Sequence, residues 1–321
     1  NSYLIDDEMV ALVDTVDICY FEVYLRKIKQ VIGERPINYL IINHMEPDHS
    51  GSIRLIKQHY PEIIIVGNKQ TFGMIEGFYG VTGEQYLVKE GDFLALGHHK
   101  LRFYMTPMVH WPETMMTFDE TDGVLFSGDG FGCFGTVDGG FLDTRINVDK
   151  YWGEMVRYYS NIVGKYGSPV QKALQKLGGL PISAICSTHG PVWTENIAKV
   201  IGIYDRLSRY DADEGVVIAY GSMYGNTEQM AEAIAEELSA QGVKNIVMHN
   251  VTKSHPSYII ADIFRYKGLI IGSPTYSNQI FPEVEALLSK ILLREVKGRY
   301  LGYFGSFTWA GAAVKRLAEF A

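Results

Sequence analysis

The chain has 321 residues, 37 of them acidic and 29 basic, for a net charge of −8. That length accommodates two ordinary domains, and the negative balance excludes a nucleic-acid surface built from clustered Lys and Arg. Apolar runs such as 39–42 and 269–272 fall far short of the roughly 18 residues of a membrane span. The three cysteines, Cys19, Cys133 and Cys186, are too few and too scattered for a disulfide framework or a thiolate-held cluster. Their pattern fits a reducing cytoplasm.

The opening residues, NSYLIDDEMVALVDT, predict two short strands around an acidic turn at Asp6, Asp7 and Glu8. Further strands are predicted at 9–13, 38–43, 62–66, 101–105, 123–127 and 183–187, with helices at 19–32, 50–59, 149–163 and 194–209. The acidic stretch DADEG at 211–215 reads as a linker. After it, strand and helix alternate: VVIAY at 216–220, a helix at 227–240, KNIVMH at 244–249, a helix, KGLIIG at 267–272, a helix, and RYLGYFG at 299–305. That rhythm specifies a doubly wound parallel sheet. The expected domains are 1–212 and 213–321.

Immediately after a predicted buried strand, INHMEPDHSGS at 42–52 packs His44, Glu46, Asp48 and His49 into six residues. Alternate positions on an extended segment point the same way, so His44, Glu46 and Asp48 are expected to converge. Imidazole suits iron and zinc, and a carboxylate can bridge two cations. The plainer reading is a polar loop whose Asp caps a helix starting near Ser50. Three more residues stand just past predicted strands: His110 after 101–105, Asp129 after 123–127 and His189 after 183–187. Singly each is weak, since a GDG is usually a turn. Together they place one ligand-type residue at the end of every central strand, along one sheet edge, where sites form. His59, His98, His99, His249 and His255 have no such placement and are expected at the surface. Tyr158 and Tyr159 are either donors near the metal pair or core residues.

The spacing H-x-E-x-D-H resembles the first motif of the metallo-β-lactamase superfamily, H-x-H-x-D-H, with Glu46 in place of the second His. That is the form carried by the flavodiiron proteins. The exchange adds a hard anionic donor, which favours iron cycling between its 2+ and 3+ states. By this resemblance one iron takes His44, Glu46 and His110, the other takes Asp48, His189 and His49, and Asp129 bridges them. In some members the residue matching His49 turns away from the metal.

In the second half, VVIAYGSMYGNTEQMA reads as strand, loop and helix. Ser222, Met223, Tyr224, Gly225, Asn226 and Thr227 set hydroxyls and backbone N–H groups at a helix N-terminus, where a phosphate is favoured. The loop lacks the Walker lysine and is not G-x-G-x-x-G, which argues against ATP and NAD; a plain connector is the alternative. Its spacing resembles the flavodoxin phosphate loop, S/T-x-T-G-x-T, with Met223 and Tyr224 as departures. The resemblance implies that FMN is held on one side by Pro274, Thr275, Tyr276 and Asn278. On the other side it implies Ser306, Phe307, Thr308, Trp309, Ala310 and Gly311, with Trp309 stacking on the ring or else packed in the core.

The resemblance covers the whole chain and implies a metallo-β-lactamase-like αββα sandwich followed by a flavodoxin-like doubly wound sheet. It further implies a cytoplasmic oxidoreductase reducing dioxygen to water or nitric oxide to nitrous oxide. Electrons would pass from rubredoxin or a similar small protein through FMN to two iron ions, within a head-to-tail homodimer or a dimer of dimers. A flavodoxin-like sheet has five strands in the order 2-1-3-4-5, and four are predicted. The fifth strand with its helix, and the opening strands of the first domain, are therefore expected outside this chain. Two rivals stay open. A zinc hydrolase of the metallo-β-lactamase type fused to a flavodoxin module shares nearly every ligand, and Glu46 weighs against it. The complete ligand set weighs against an electron-transfer flavoprotein with an inert first domain.

Overall fold

A computed structural model describes residues 1–321. The chain forms two compact units, Asn1–Met155 with Ser168–Asp205, and Val156–Gly167 with Arg206–Ala321. The second unit thus takes in a segment from the first half of the sequence.

The first unit contains two sheets. One runs β1 (Tyr3–Ile5), β2 (Ala11–Val13), β3 (Tyr39–Ile41), β4 (Ile64–Gly67), β5 (Gln85–Leu87) in spatial order. Its first pair is antiparallel and the rest are parallel. The other contains β6 (Phe93–Ala95), β7 (Lys100–Met105), β8 (Met115–Asp119), β9 (Val124–Gly128), β10 (Ala184–Ser187) and β11 (Val192–Trp193), each next to its sequence neighbour. Only β9 and β10 pair in parallel there.

Alternation along the strands builds the layers. Leu12, Leu40 and Ile65 pack with Phe21, Leu25 and Ile28 of the helix Phe21–Ile32 and with Phe72 and Ile75 of Lys69–Tyr79. Their neighbours Ala11, Val13, Ile41 and Val66 point to the opposite face and meet Leu101, Phe103, Met115 and Phe126 of the second sheet. Successive side chains leave a strand on opposite faces, so one short apolar strand serves two cores. Every residue of β8 is buried, which requires cover on the far face as well. Helix Gly167–Leu177 buries Val170, Ala173 and Leu177 on one stripe, the spacing of a surface helix against a sheet.

In the second unit, β12 (Asp213–Tyr220), β13 (Ile246–Asn250), β14 (Tyr266–Tyr276), β15 (Gln279–Ile280) and β16 (Tyr300–Ser306) form a sheet in the order β13-β12-β14-β16. All of these pairs are parallel, while β15 folds back antiparallel on the end of β14. A side chain at Gly272 would meet the Phe304 ring at 2.2 Å, so glycine there lets β14 and β16 pack. The segment 156–167 lies on the helix Pro256–Arg265: Asn161 Nδ2 donates to the Ser257 carbonyl at 3.0 Å, and a side chain at Gly164 would strike Phe264.

Three expectations change. The stretch 211–215 is not all linker, because Asp213 already pairs with Tyr266 and begins β12; its carboxylate is matched by Arg206 and Arg265, so acidity does not keep it out of the sheet. His99 and His249 are not plain surface residues. Each is mostly buried beside a carboxylate, His99 Nδ1 at 2.8 Å from Asp7 and His249 Nε2 at 2.8 Å from Asp262, and such partners let a polar ring leave water. Helix Lys69–Tyr79 and strands β5, β6 and β8 escape the sequence pattern. Gly73 and Gly77 weaken the helical signal, β5 is exposed throughout, and β8 is buried throughout, so neither strand alternates. No helix is long and apolar enough to cross a membrane.

Candidate functional site

The loops that leave β3, β7, β9 and β10 carry the ligand-type residues. His44 follows β3, Glu46 stands at the N-cap of the one-turn helix Pro47–Ser50, and Pro47 occupies its first position, where a missing N–H costs nothing. The expected convergence of His44, Glu46 and Asp48 along an extended segment does not occur, because the chain turns helical at Pro47. His44 and Glu46 instead group with His110 and Asp129, whereas Asp48 groups with His49 and His189. Within each group the ligand atoms lie within 4.8 Å of one another.

Asp129 stands between the groups. Its Oδ2 is 3.1 Å from His110 Nε2 and 3.7 Å from His44 Nε2. Its Oδ1 is 2.9 Å from His49 Nε2 and 3.5 Å from His189 Nε2. One carboxylate thus offers one oxygen to each half, the arrangement a bridging ligand needs. Thr188 holds it by donating its hydroxyl to Oδ1 at 2.7 Å. His49 is turned into the site, with Nε2 3.2 Å from Asp48 Oδ2.

The electrostatics are those of a cation site. Burial opposes protonation of His44, but Glu113, Glu46 and Asp129 outweigh it and lift its pKa to about 10. Burial likewise opposes the charge on His110, and Asp129 and Glu46 raise it. Hydrogen bonds from His110 and then His44 bring Glu46 down to about 2. Asp129 is penalised by burial, yet His110 and His49 hold it well below the usual carboxylate range. Protons here occupy the electrostatic role that metal cations take, and metal binding releases them. His44 Nε2 and Asp48 Oδ1 are buried without hydrogen-bond partners, a costly state that a coordinated ion relieves. The donor set of imidazoles and carboxylates therefore fits two iron ions.

Two bracing residues carry no motif. Asp14, at φ 56°, accepts the backbone N–H groups of Asn43 and His44 at 2.8 and 3.2 Å; burial lifts it to about 6. Glu113, fully buried, takes His44 Nδ1 at 2.8 Å and the Met45 N–H at 2.9 Å. The only sequence signal for Glu113 is a carboxylate three positions past His110. Trp111 closes over His44 edge-on at 5.3 Å. Tyr158 and Tyr159 are buried and belong to the second unit, where Tyr159 meets Phe264 edge-on at 6.3 Å. A cavity of about 710 Å³ in the first unit, between Asn68, Leu87, Lys89 and Pro112, is lined by none of the ligand-type residues.

The second unit holds a cavity of about 420 Å³ where β12, β14 and β16 end. All of the expected flavin contacts line it except Ser222, Gly225 and Gly311, and Ser277 joins them. Ser222 Oγ instead accepts the Gly225 N–H at 3.2 Å, closing the loop, and Gly225 takes φ 89°, a conformation glycine adopts without strain. Thr227 and Ser306 share a hydrogen bond of 2.8 Å across two of the loops. Trp309 is 89% exposed and Tyr224 85%, so Trp309 is not a core residue.

Comparison with known proteins agrees with both halves. Residues 1–190 match the family described as ODP family beta lactamase, and residues 218–321 match flavodoxin. An anaerobic nitric oxide reductase flavorubredoxin from Vibrio vulnificus is 33% identical over 99% of this chain, which spans 65% of that protein's length. The solved rubredoxin oxygen:oxidoreductase from Desulfovibrio gigas superposes at a TM-score of 0.96 with 31% identity, covering 100% of this chain and 80% of that one. A flavodiiron protein from Giardia intestinalis superposes at 0.96 with 28% identity, covering 100% and 79%.

Proposed function

Because this chain belongs to the flavodiiron protein family, we propose that it reduces dioxygen to water, nitric oxide to nitrous oxide, or both. The observation that carries this reading is Asp129, buried between two ligand groups with one oxygen toward each. In the proposal His44, Glu46 and His110 hold one iron, Asp48, His49 and His189 hold the other, and Asp129 bridges. When bound, two irons and one FMN supply the electron storage and transfer that gas reduction requires.

The chain's own residues set the conditions for that chemistry. The buried ring of His44 and the edge of Trp111 keep water from one side of the pair. Glu46 and Asp48, each about two-fifths exposed, leave the other side reachable by a small gas. Thr188 fixes the bridging carboxylate. In the second unit the N-terminus of the helix Asn226–Ala240 would hold the FMN phosphate. The loops carrying Tyr276 and Trp309 would hold the ring; their exposed aromatics suit stacking. Rubredoxin or a similar small protein is the proposed electron donor, and the cytoplasm the proposed compartment. A head-to-tail homodimer, or a dimer of such dimers, is the proposed assembly.

The test is to load the protein with iron and FMN, supply a reducing donor, and follow dioxygen and nitric oxide side by side. Consumption of either gas, with no peroxide from dioxygen, is the expected result. Failure to consume either gas, with zinc bound in preference to iron, would overturn the reading in favour of a zinc hydrolase.

A further inference from the structure

The two halves of the metal centre are not equivalent. In the half built from His44, Glu46 and His110, a second carboxylate stands directly behind an imidazole. Glu113 is fully buried, and its Oε1 lies 2.8 Å from His44 Nδ1 and 2.9 Å from the Met45 nitrogen. A carboxylate only accepts, so Nδ1 carries a hydrogen toward Glu113 and Nε2, buried with no hydrogen-bond partner, is the nitrogen left to offer its lone pair once a cation displaces its proton. Glu113 and His110 sit on the same loop between β7 and β8, which therefore donates one ligand and braces another. That loop is itself pinned, with Asn68 Nδ2 donating to the Glu113 carbonyl at 2.6 Å and Thr114 Oγ1 donating to the Trp111 carbonyl at 2.9 Å.

Charge counting gives Glu113 a purpose beyond orientation. Three carboxylates belong to the two ligand groups. Two ferrous ions would bring four positive charges, so the loaded centre would keep one positive charge, next to the buried His44 and Glu113. The second oxygen of Glu113, Oε2, is buried with no hydrogen-bond partner, a state that is costly for an anion unless a nearby positive centre compensates it. The surplus on the metal pair and the unmatched charge on Glu113 complete each other. A carboxylate behind a ligating imidazole also raises the basicity of that ligand.

We infer that Glu113 is a positioning residue that makes the His44 half the tighter iron site and the half more easily kept oxidised. This rests on the diiron reading above. His44 acts as the stronger donor because its far nitrogen is tied to an anion, and a stronger anionic environment favours the higher charge of ferric iron. The half of Asp48, His49 and His189 contains no such arrangement at His49, whose Nδ1 is buried without a hydrogen-bond partner.

The experiment titrates the iron-free protein anaerobically with ferrous iron against a competing chelator, and measures the potentials of the loaded centre by redox titration followed by EPR. The unaltered protein, Glu113→Gln and Glu113→Ala are compared. Glutamine keeps an acceptor for Nδ1–H and the Met45 N–H while removing the charge; alanine removes both. The unaltered protein is expected to bind two ferrous ions with resolved affinities. Glu113→Gln should retain the melting temperature, weaken the tighter site by about tenfold and raise its potential. Glu113→Ala should weaken that site further, toward the ~100-fold end of such effects. Two ferrous ions bound with equal affinity in the unaltered protein would overturn the inference without need of any variant. So would unchanged affinity and potential in folded Glu113→Gln. Absence of ferrous binding in the unaltered protein would instead overturn the diiron reading itself.

Discussion

The metal centre and the flavin cavity use opposite strategies. In the first unit the functional groups are charged side chains withdrawn from water: His44, His49 and Asp129 are each no more than 2% exposed. In the second, the cavity wall is made of hydroxyls and of aromatics that remain largely in solvent, such as Tyr224 and Trp309. The difference follows from what each must hold. A small cation is bound by side-chain donors whose charge is strengthened by a low-dielectric pocket, so the central donors His44, His49 and Asp129 are buried while Glu46, Asp48 and His189 close the open side. A large planar cofactor with a phosphate is bound by many modest contacts at strand ends and a helix N-terminus, so no single one is decisive.

The comparison predicts unequal sensitivity, and the sharpest test is at Asp129. Asp129→Asn removes the bridging charge, and iron affinity and gas turnover should fall by more than the roughly 10–100-fold of an outer-shell substitution, while FMN content stays at the parent level. Metal analysis alongside flavin absorbance measures both. Two irons retained at full activity would erase the contrast between the regions.

Trp309→Ala is the corresponding change in the second unit. Because the ring is 89% exposed, the stability of the flavin-free protein should stay within about 0.5 kcal/mol of the parent. Loss of an aromatic stacking contact should raise the FMN dissociation constant about three- to tenfold, read by fluorescence titration. A loss of stability larger than the loss of affinity would mean that Trp309 supports the fold rather than the cofactor.

The smallest effect is expected at His99, which shares with the metal centre a histidine among carboxylates but lies at the sheet edge beside Asp7, Asp119 and Asp122. Burial opposes its protonation and those carboxylates outweigh it, so its pKa is raised from 6.5. A raised histidine pKa contributes stability that is complete below pH 6.5 and disappears as pH rises through the folded-state value. Unfolding free energies from urea titrations at pH 6 and pH 9 should therefore differ by less than about 1 kcal/mol from this group, and His99→Gln should abolish that share of the slope. An unchanged slope would mean that the pair is electrostatically idle.

Much of this was legible in the residues. The strand–helix rhythm after residue 216 specifies the parallel sheet because parallel neighbours need a crossover, here a helix, between successive strands. The cluster at 44–49 and the later His110, Asp129 and His189 announce a metal site because such donors rarely gather by chance. The donor residues were readable, and the family resemblance divided them into the two groups that the structure brings together; strand alternation by itself did not. Alternation suggested that Asp48 would join His44, but the turn at Pro47 sends it to His49 and His189.

Sequence alone determined the elements with a clear period, the donor inventory and the loops at the strand ends, since these depend on local periodicity and residue chemistry; helix Lys69–Tyr79 and strands β5, β6 and β8 lacked such a signal. Only tertiary structure decided which oxygen of Asp129 faces which half, that Glu113 stands behind His44, that His99 and His249 are paired, and that Val156–Gly167 belongs to the second unit. These are contacts between residues far apart in the chain or hidden in loops without a period. Burial of a polar atom depends on whether a distant partner arrives to satisfy it, and no local pattern encodes that arrival.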